Sequence, residues 1–325
     1  MPDIFLTRRQ LLMVGLEATY GTDALPQHTS SYQAIRLVDP FVLDLGTEMV
    51  EQQAGVLSRG MSRPIATVRP AGITFRTYVQ GTNASTYTAA VKPPVGDMLR
   101  ACGQFETLVA GGVGQYQYAP SADVGSDRAV TIVAHQDGYE HRLLGCQGNV
   151  NFIFKAAEPV VAEFNFRGIL STEASTARGA PTGLPTVVPP RWIGSGSVFV
   201  ESLTGNIENA NFNTNNTIFE QRASQATSAS GISKVLITQR APGGSFDPEA
   251  TEPNTLNFFG VWRSTSGAVL RLQAGTDQSN RMIITASQTV FKKVGWGDKE
   301  GMSIFNTDYQ AYERSGDDES LIAFT

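Results

Sequence analysis

Apolar and polar residues alternate one by one in several stretches of this chain, the pattern of strands that bury one face. In Phe41–Gln53, Leu43, Leu45, Thr47 and Met49 share a face, with Asp44, Glu48 and Gln52 opposite. Over Ile73–Val79 the inward set is Ile73, Phe75 and Val79, and the outward set is Thr74, Arg76 and Gln80. A hairpin from Arg142 sets Val150, Phe152, Phe154, Ala162, Phe164 and Phe166 against Asn149, Asn151, Glu163 and Arg167. One stretch takes helical spacing instead: Pro93-Pro94 can start a helix that carries Val95, Met98, Leu99, Cys102 and Phe105.

The same order of elements then recurs. Ile207–Arg222 reads as a first strand with Asn209, Asn211, Asn213 and Asn215 on one face. A helix-like segment follows at Pro253–Arg263, then strands at Ala268–Gln273, Arg281–Phe291 and Met302–Tyr312. Matched features lie 169 residues apart at Glu51/Glu220, 139 at Arg142/Arg281 and 141 at Phe164/Phe305. Collinear repetition of a β-rich unit predicts a mainly β protein with two tandem domains, each carrying one short helix. The expected division is an N-terminal arm at 1–32, a first β-domain at 33–170, a linker at 171–191 and a second β-domain at 192–325. The linker assignment rests on its four prolines and few large apolar side chains.

Composition narrows the function. The 325 residues are 41% hydrophobic, enough for a core in each half, but only 17% charged, against roughly 25% in an average globular domain. Low surface charge suits a protein largely covered by copies of itself. A net charge of −5 argues against phosphate neutralisation, which needs Lys/Arg patches. Cys102 and Cys146, the two cysteines, give no disulfide framework, and with His135 and His141 they match no zinc spacing. No metal or cofactor is expected. No apolar run approaches the roughly 18 residues of a membrane helix. Thr7–Leu12 resembles a twin-arginine signal, but its apolar run stops at Glu17, so export is not expected. There is no GxSxG elbow, and Gly111–Gly114 lacks the Lys-Ser/Thr of a phosphate loop. The sequons at Asn83 and Asn215 fit chance in an Asn/Ser/Thr-rich chain. Enzymatic activity is not expected.

Leu11–Ala24 (LLMVGLEATYGTDA), Gly96–Gly103 (GDMLRACG) and His141–Val150 (HRLLGCQGNV) resemble segments of phage tail tube proteins, also called major tail proteins. The resemblance covers roughly residues 10–170, and the second half joins through the repeat. It implies tail-tube-like β-sandwich or half-barrel domains, stacked rings around a channel, and three two-domain subunits in place of a hexamer. The implied partners are copies of itself, the tape measure and terminator proteins, and DNA passing without specific binding. The implied place is the virion tail, after synthesis in the host cytoplasm. On this reading Asp44, Glu48, Glu163, Asn211 and Asn213 face the lumen. Ring stacking falls to the loops Ala54–Arg69 and Ala223–Gly231, with Arg59, Met61, Arg63, Gln225 and Ser228 as candidates. The alternative is a surface or secreted β-sandwich binding module, an adhesin or spike.

Overall fold

The structure is a computed structural model that describes residues 9–24, 33–52, 63–84, 86–89, 91–110, 114–123, 128–175, 184–193, 198–200, 206–224, 230–265 and 267–325. It is mainly β. The first half holds β1 (Gln10–Leu16), β2 (Gln33–Ile35), β3 (Val42–Leu45), β4 (Met49–Val50), β5 (Ile65–Ala66) and β6 (Ala71–Tyr78). Helix α1 (Gly96–Ala101) precedes β7 (Gln104–Val109), β8 (Gln115–Pro120), β9 (Val130–Gln136), β10 (Tyr139–Lys155) and β11 (Val161–Ser175). The second half holds β12 (Val198–Val200), β13 (Ile207–Asn213), β14 (Thr217–Arg222), β15 (Ile232–Gln239) and β16 (Gly243–Pro248). Helix α2 (Phe258–Ser264) leads to β17 (Ala268–Ala274), β18 (Met282–Lys299), β19 (Met302–Ala311) and β20 (Leu321–Phe324).

Strand pairing follows one order in both halves. The antiparallel run β3-β6-β11-β10-β9-β1 recurs as β13-β16-β19-β18-β17-β12. The short hairpin β4–β5 likewise recurs as β14–β15. The halves join where β10 pairs with β13, from Asn151↔Asn213 to Lys155↔Asn209. Eight strands, β3-β6-β11-β10-β13-β16-β19-β18, therefore form one continuous sheet. Its apolar face carries Ile73, Phe75, Phe152, Phe154, Phe164, Phe166, Phe212 and Phe246, all buried in a core cluster that runs through both halves.

Two first strands break where the sequence reads through. The expected strand over Phe41–Gln53 is β3 and β4, because β6 begins beyond Pro70, which has no N–H to extend the ladder. Gly46 N still donates to Pro70 O (3.1 Å), after which Glu48 N turns to Val68 O (2.7 Å). Met49 consequently leaves the core and is exposed. Ile207–Arg222 breaks at the matching place. Asn215 there has φ 45°, and its N–H donates to Asn213 Oδ1 at 2.8 Å, the local turn that asparagine favours.

The helices are shorter than their sequence patterns. Gly103, at φ 77°, ends the first turn-rich stretch after Cys102, so Phe105 lies in β7 and is exposed, while Val95, Met98, Leu99 and Cys102 are buried as expected. α2 starts only at Phe258, where Asn257 Oδ1 accepts from Gly260 N (2.7 Å). Phe258 anchors it against Phe246, Phe291 and Phe305. Within residues 1–32, β1 pairs with β9 from Gln10↔Gln136 to Leu16↔Val130, and Leu11, Leu12, Met13 and Val14 are buried. Those residues are part of the sheet core. β11 likewise extends through Ser175, into the span read as linker.

Candidate functional site: a polar sheet face with open edges

The face opposite the core is polar across both halves. One row of the register runs Arg76↔Glu163↔Asn151↔Asn213↔Gly243↔Gln310. Arg76 Nε meets Glu163 at 2.5 Å. A second row runs Asp44↔Gly72↔Arg167, and Arg167 crosses the glycine to reach Asp44 at 2.8 Å. A Cβ on Gly72 would lie 3.0 Å from the Arg167 guanidinium, so the bare backbone opens the path for that ion pair. The two arginines are thus each matched to a carboxylate, and the face carries little unbalanced charge there.

On β13 the asparagines close backbone gaps. The ladder to β16 shifts between Ile207 and Ala210, and Asp247 fills the irregularity. Its Oδ1 accepts from Glu208 N (3.1 Å) and Asn209 N (2.6 Å), and its Oδ2 accepts from Asn209 Nδ2 (2.7 Å). Asn211 Oδ1 accepts from Ser245 N (2.7 Å), and its Nδ2 donates to Ser245 Oγ (3.2 Å). Asn151, Lys155, Asn209, Asn211, Asp247 and Asp308 surround a shallow depression of about 490 Å³ on this face.

Asp44, Glu163, Asn211 and Asn213 therefore lie on one sheet face. Glu48 stands off it, in the turn toward β4, where it binds Arg222 of β14 at 2.6 Å. That pair bridges the two side hairpins, which also meet through Arg69 N donating to Ser230 O (3.0 Å) and through Val68, Ile169, Ile218, Ile232 and Val235. The hairpins expose Met49, Val50, Ile65 and Phe219. Arg63 is exposed just before β5; Arg59, Met61, Gln225 and Ser228 lie outside the described residues.

Sequence reading did not single out a polar latch at the junction of the halves. Asn216 is buried and donates from Nδ2 to both Cys102 O and Gly148 O (2.9 Å each). Asn149 Nδ2 donates to Asn216 O (2.9 Å), Asn149 Oδ1 accepts from Asn216 N, and Thr214 Oγ1 donates to Asn149 Oδ1 (3.2 Å). Thr214 Oγ1 in turn accepts from Val150 N (3.2 Å). Asn215-Asn216-Thr217, a fortuitous sequon in the sequence, is in fact the hinge of this latch.

Two edges of the eight-stranded sheet have no strand partner among the described residues: the outer edge of β3, and β18 from Val294 to Lys299. Trp262 Nε1 donates to Lys292 O (3.1 Å) and covers β18 just before the open part begins. Trp296 sits on that open part, 67% exposed, with its ring 4.8 Å from Phe305 and 6.0 Å from Phe259. Unpaired strand edges invite further strands.

Conventional chemistry is sparse. Among the described residues no group of three or more His, Cys, Asp or Glu is placed to hold a metal ion. Cys102 and Cys146 are buried, and desolvation pushes both thiols well above their ordinary pKa, so the reactive thiolate is disfavoured.

A broad polar sheet that leaves strand edges open, over a core shared by both halves, is the framework of a structural subunit. The chain belongs to the phage tail tube protein family, whose model matches residues 7–310. That match takes in the second half, which the sequence resemblance reached only through the repeat. No curated protein matches the sequence. The protein is a structural component of the phage tail, and its family implies self-assembly into a tube that meets other tail components.

Proposed function

We propose that three copies of this chain close into a ring, that the polar sheet face lines the bore, and that stacked rings conduct DNA to the host. The observation that carries this reading is the eight-stranded sheet, polar on one face and, among the described residues, open along the outer edges of β3 and of Val294–Lys299 in β18. Each chain then supplies two copies of one unit, near 33–170 and 192–325. The first takes in β1, just as the second takes in β12.

The stagger of the sheet fits closure. The row that enters at Asp44 crosses Gly72 and Arg167 to Gln147, whereas the next unit is entered from Asn151, four residues further along β10. A barrel of about 24 strands with that shear has strands tilted by about 35° and a backbone diameter of roughly 45 Å. The tilt lies in the usual range for closed sheets, and the bore admits a DNA duplex. Heterologous contacts of this kind satisfy every edge only when the rotation closes.

Paired charges on the lining suit transit, because counterion release at unpaired cations is what makes DNA adhere. Replacing Glu163 and Asp308 together with lysine is expected to convert a passive wall into a binding one. Tubes of that variant should retain DNA at low salt, with affinity falling steeply as salt rises; an unchanged filter-binding assay would place this face elsewhere.

Rings stack, on this reading, through the paired hairpins β4–β5 and β14–β15, with Arg63 and the loops at their tips beside exposed Met49 and Phe219. Tape measure and terminator proteins meet the ends of the stack. Native mass spectrometry should give a particle of three chains, and negative-stain images should show tubes. The double variant Met49→Asp/Phe219→Asp should stop at the three-chain ring. Monomers of the parent protein at every concentration would end the proposal.

A further inference from the structure

The junction between the halves is a template for a contact the isolated chain leaves unmade. Register sets the rows, and a matching aromatic pair anchors them: Phe75 lies against Phe166 in the first half as Phe246 lies against Tyr309 in the second. Asp44↔Gly72↔Arg167 in the first half corresponds to Asn213↔Gly243↔Gln310 in the second. Four residues back along β11 and β19, Glu163 corresponds to Asn306. Glu163 pairs with Asn151 and Asn306 pairs with Gly295, so Gly295 holds in β18 the place that Asn151 holds in β10. Trp296 then stands where Phe152 stands, and Leu43 where Phe212 stands.

Phe152 is fully buried opposite Phe212 on β13. Trp296 occupies the same position with two thirds of its surface exposed, at an edge with no strand beside it among the described residues. We propose that β18 pairs antiparallel with β3 of a second copy of this chain, Gly295 opposite Asp44, with Trp296 as the anchor that covers Leu43. The inference rests on the ring reading and adds to it the two edges, their register and the residue that seals them.

Three further observations agree with that register. A Cβ placed on Gly295 would meet nothing within 4 Å, so the polar face over this position is unobstructed for a side chain of the second copy opposite it. Leu45, 37% exposed, comes opposite Val294 and would share its apolar side. Lys293, exposed on β18, lies diagonal to Asp44 of the second copy, within reach for long side chains. The internal junction has neutral Asn149 at the equivalent position of β10, so charge complementarity favours a neighbouring copy at this seam.

Cysteine pairing in the full chain tests the register, since Cys102 and Cys146 are fully buried and do not compete. Directly opposed residues in a sheet come close enough for a disulfide with small adjustment, and residues two apart do not. Under mild oxidation Asp44→Cys/Gly295→Cys should give covalent multimers ending at three chains. The off-register pair Val42→Cys/Gly295→Cys should give at least about tenfold less. Trp296→Asp should leave the far-UV spectrum and thermal midpoint of the monomer unchanged and abolish rings. Rings or tubes in which 44 and 295 fail to cross-link, or in which 42 and 295 cross-link better, overturn this seam and leave the ring reading standing. A parent protein that never assembles overturns the ring reading first, and the seam with it.

Discussion

Asn216→Asp is expected to destabilise the fold by about 3 kcal/mol or more, because it buries a charge with no compensating donor. The amide nitrogen of Asn216 donates to Cys102 O and Gly148 O, and its Oδ1 has no donor partner. A carboxylate of the same shape would turn an acceptor on two carbonyls and find no donor for its other oxygen. Asn216→Ala removes the donor without adding charge and should cost about 2 kcal/mol. Urea unfolding distinguishes them: both midpoints fall with an unchanged slope, the aspartate variant further. Equal midpoints for Asn216→Asp and the parent would mean that the latch does not hold the halves together.

The second large effect is expected at Phe152. It is fully buried between β10 and β13, so Phe152→Ala should lose about 3–5 kcal/mol through lost burial and the cavity left behind. Trp296→Ala, its counterpart by register, should cost the isolated chain less than about 1 kcal/mol, since most of that ring already faces water. Thermal unfolding of the two variants at a dilution that prevents assembly makes the comparison. Similar losses would show that Trp296 is a core residue of the single chain and not a surface awaiting a partner.

The alternation of side chains was sufficient to read β-rich architecture, the inward phenylalanines of β10 and β11, and the outward set that includes Glu163 and Asn213. It could not set register. The sequence matches Phe164 with Phe305, whereas the equivalence proposed above, anchored on Phe75–Phe166 and Phe246–Tyr309, matches Ala162 with Phe305, two residues away. A slip of two keeps every side chain on its own face, so a period-two pattern carries no signal against it. Breaks at Gly46 and Asn215 were hidden for a related reason: β4 and β14 keep alternating after they leave the main sheet, and only Pro70 and the left-handed Asn215 mark the departure. The same continuity carries Glu48 onto the face of Asp44, whereas the chain turns after Gly46 and sets it between the hairpins, against Arg222. Trp296 carries no periodic signal in the sequence, because its meaning is comparative. An exposed tryptophan is ordinary until the residue at its equivalent position is found fully covered.

The strands β7 and β8 belong to the first half alone, and β20 from the end of the second half clasps them by pairing with β8 and β18. In the three-chain ring proposed above, the lining would repeat six times and this clasp, wherever it lies off that lining, three times. Fusing two units in one chain thus frees alternate positions on the circumference to differ, which six identical subunits could not do. A protein that grips the tube from outside would meet a triangular pattern laid over a hexagonal one, and could tell one rotational setting from the next.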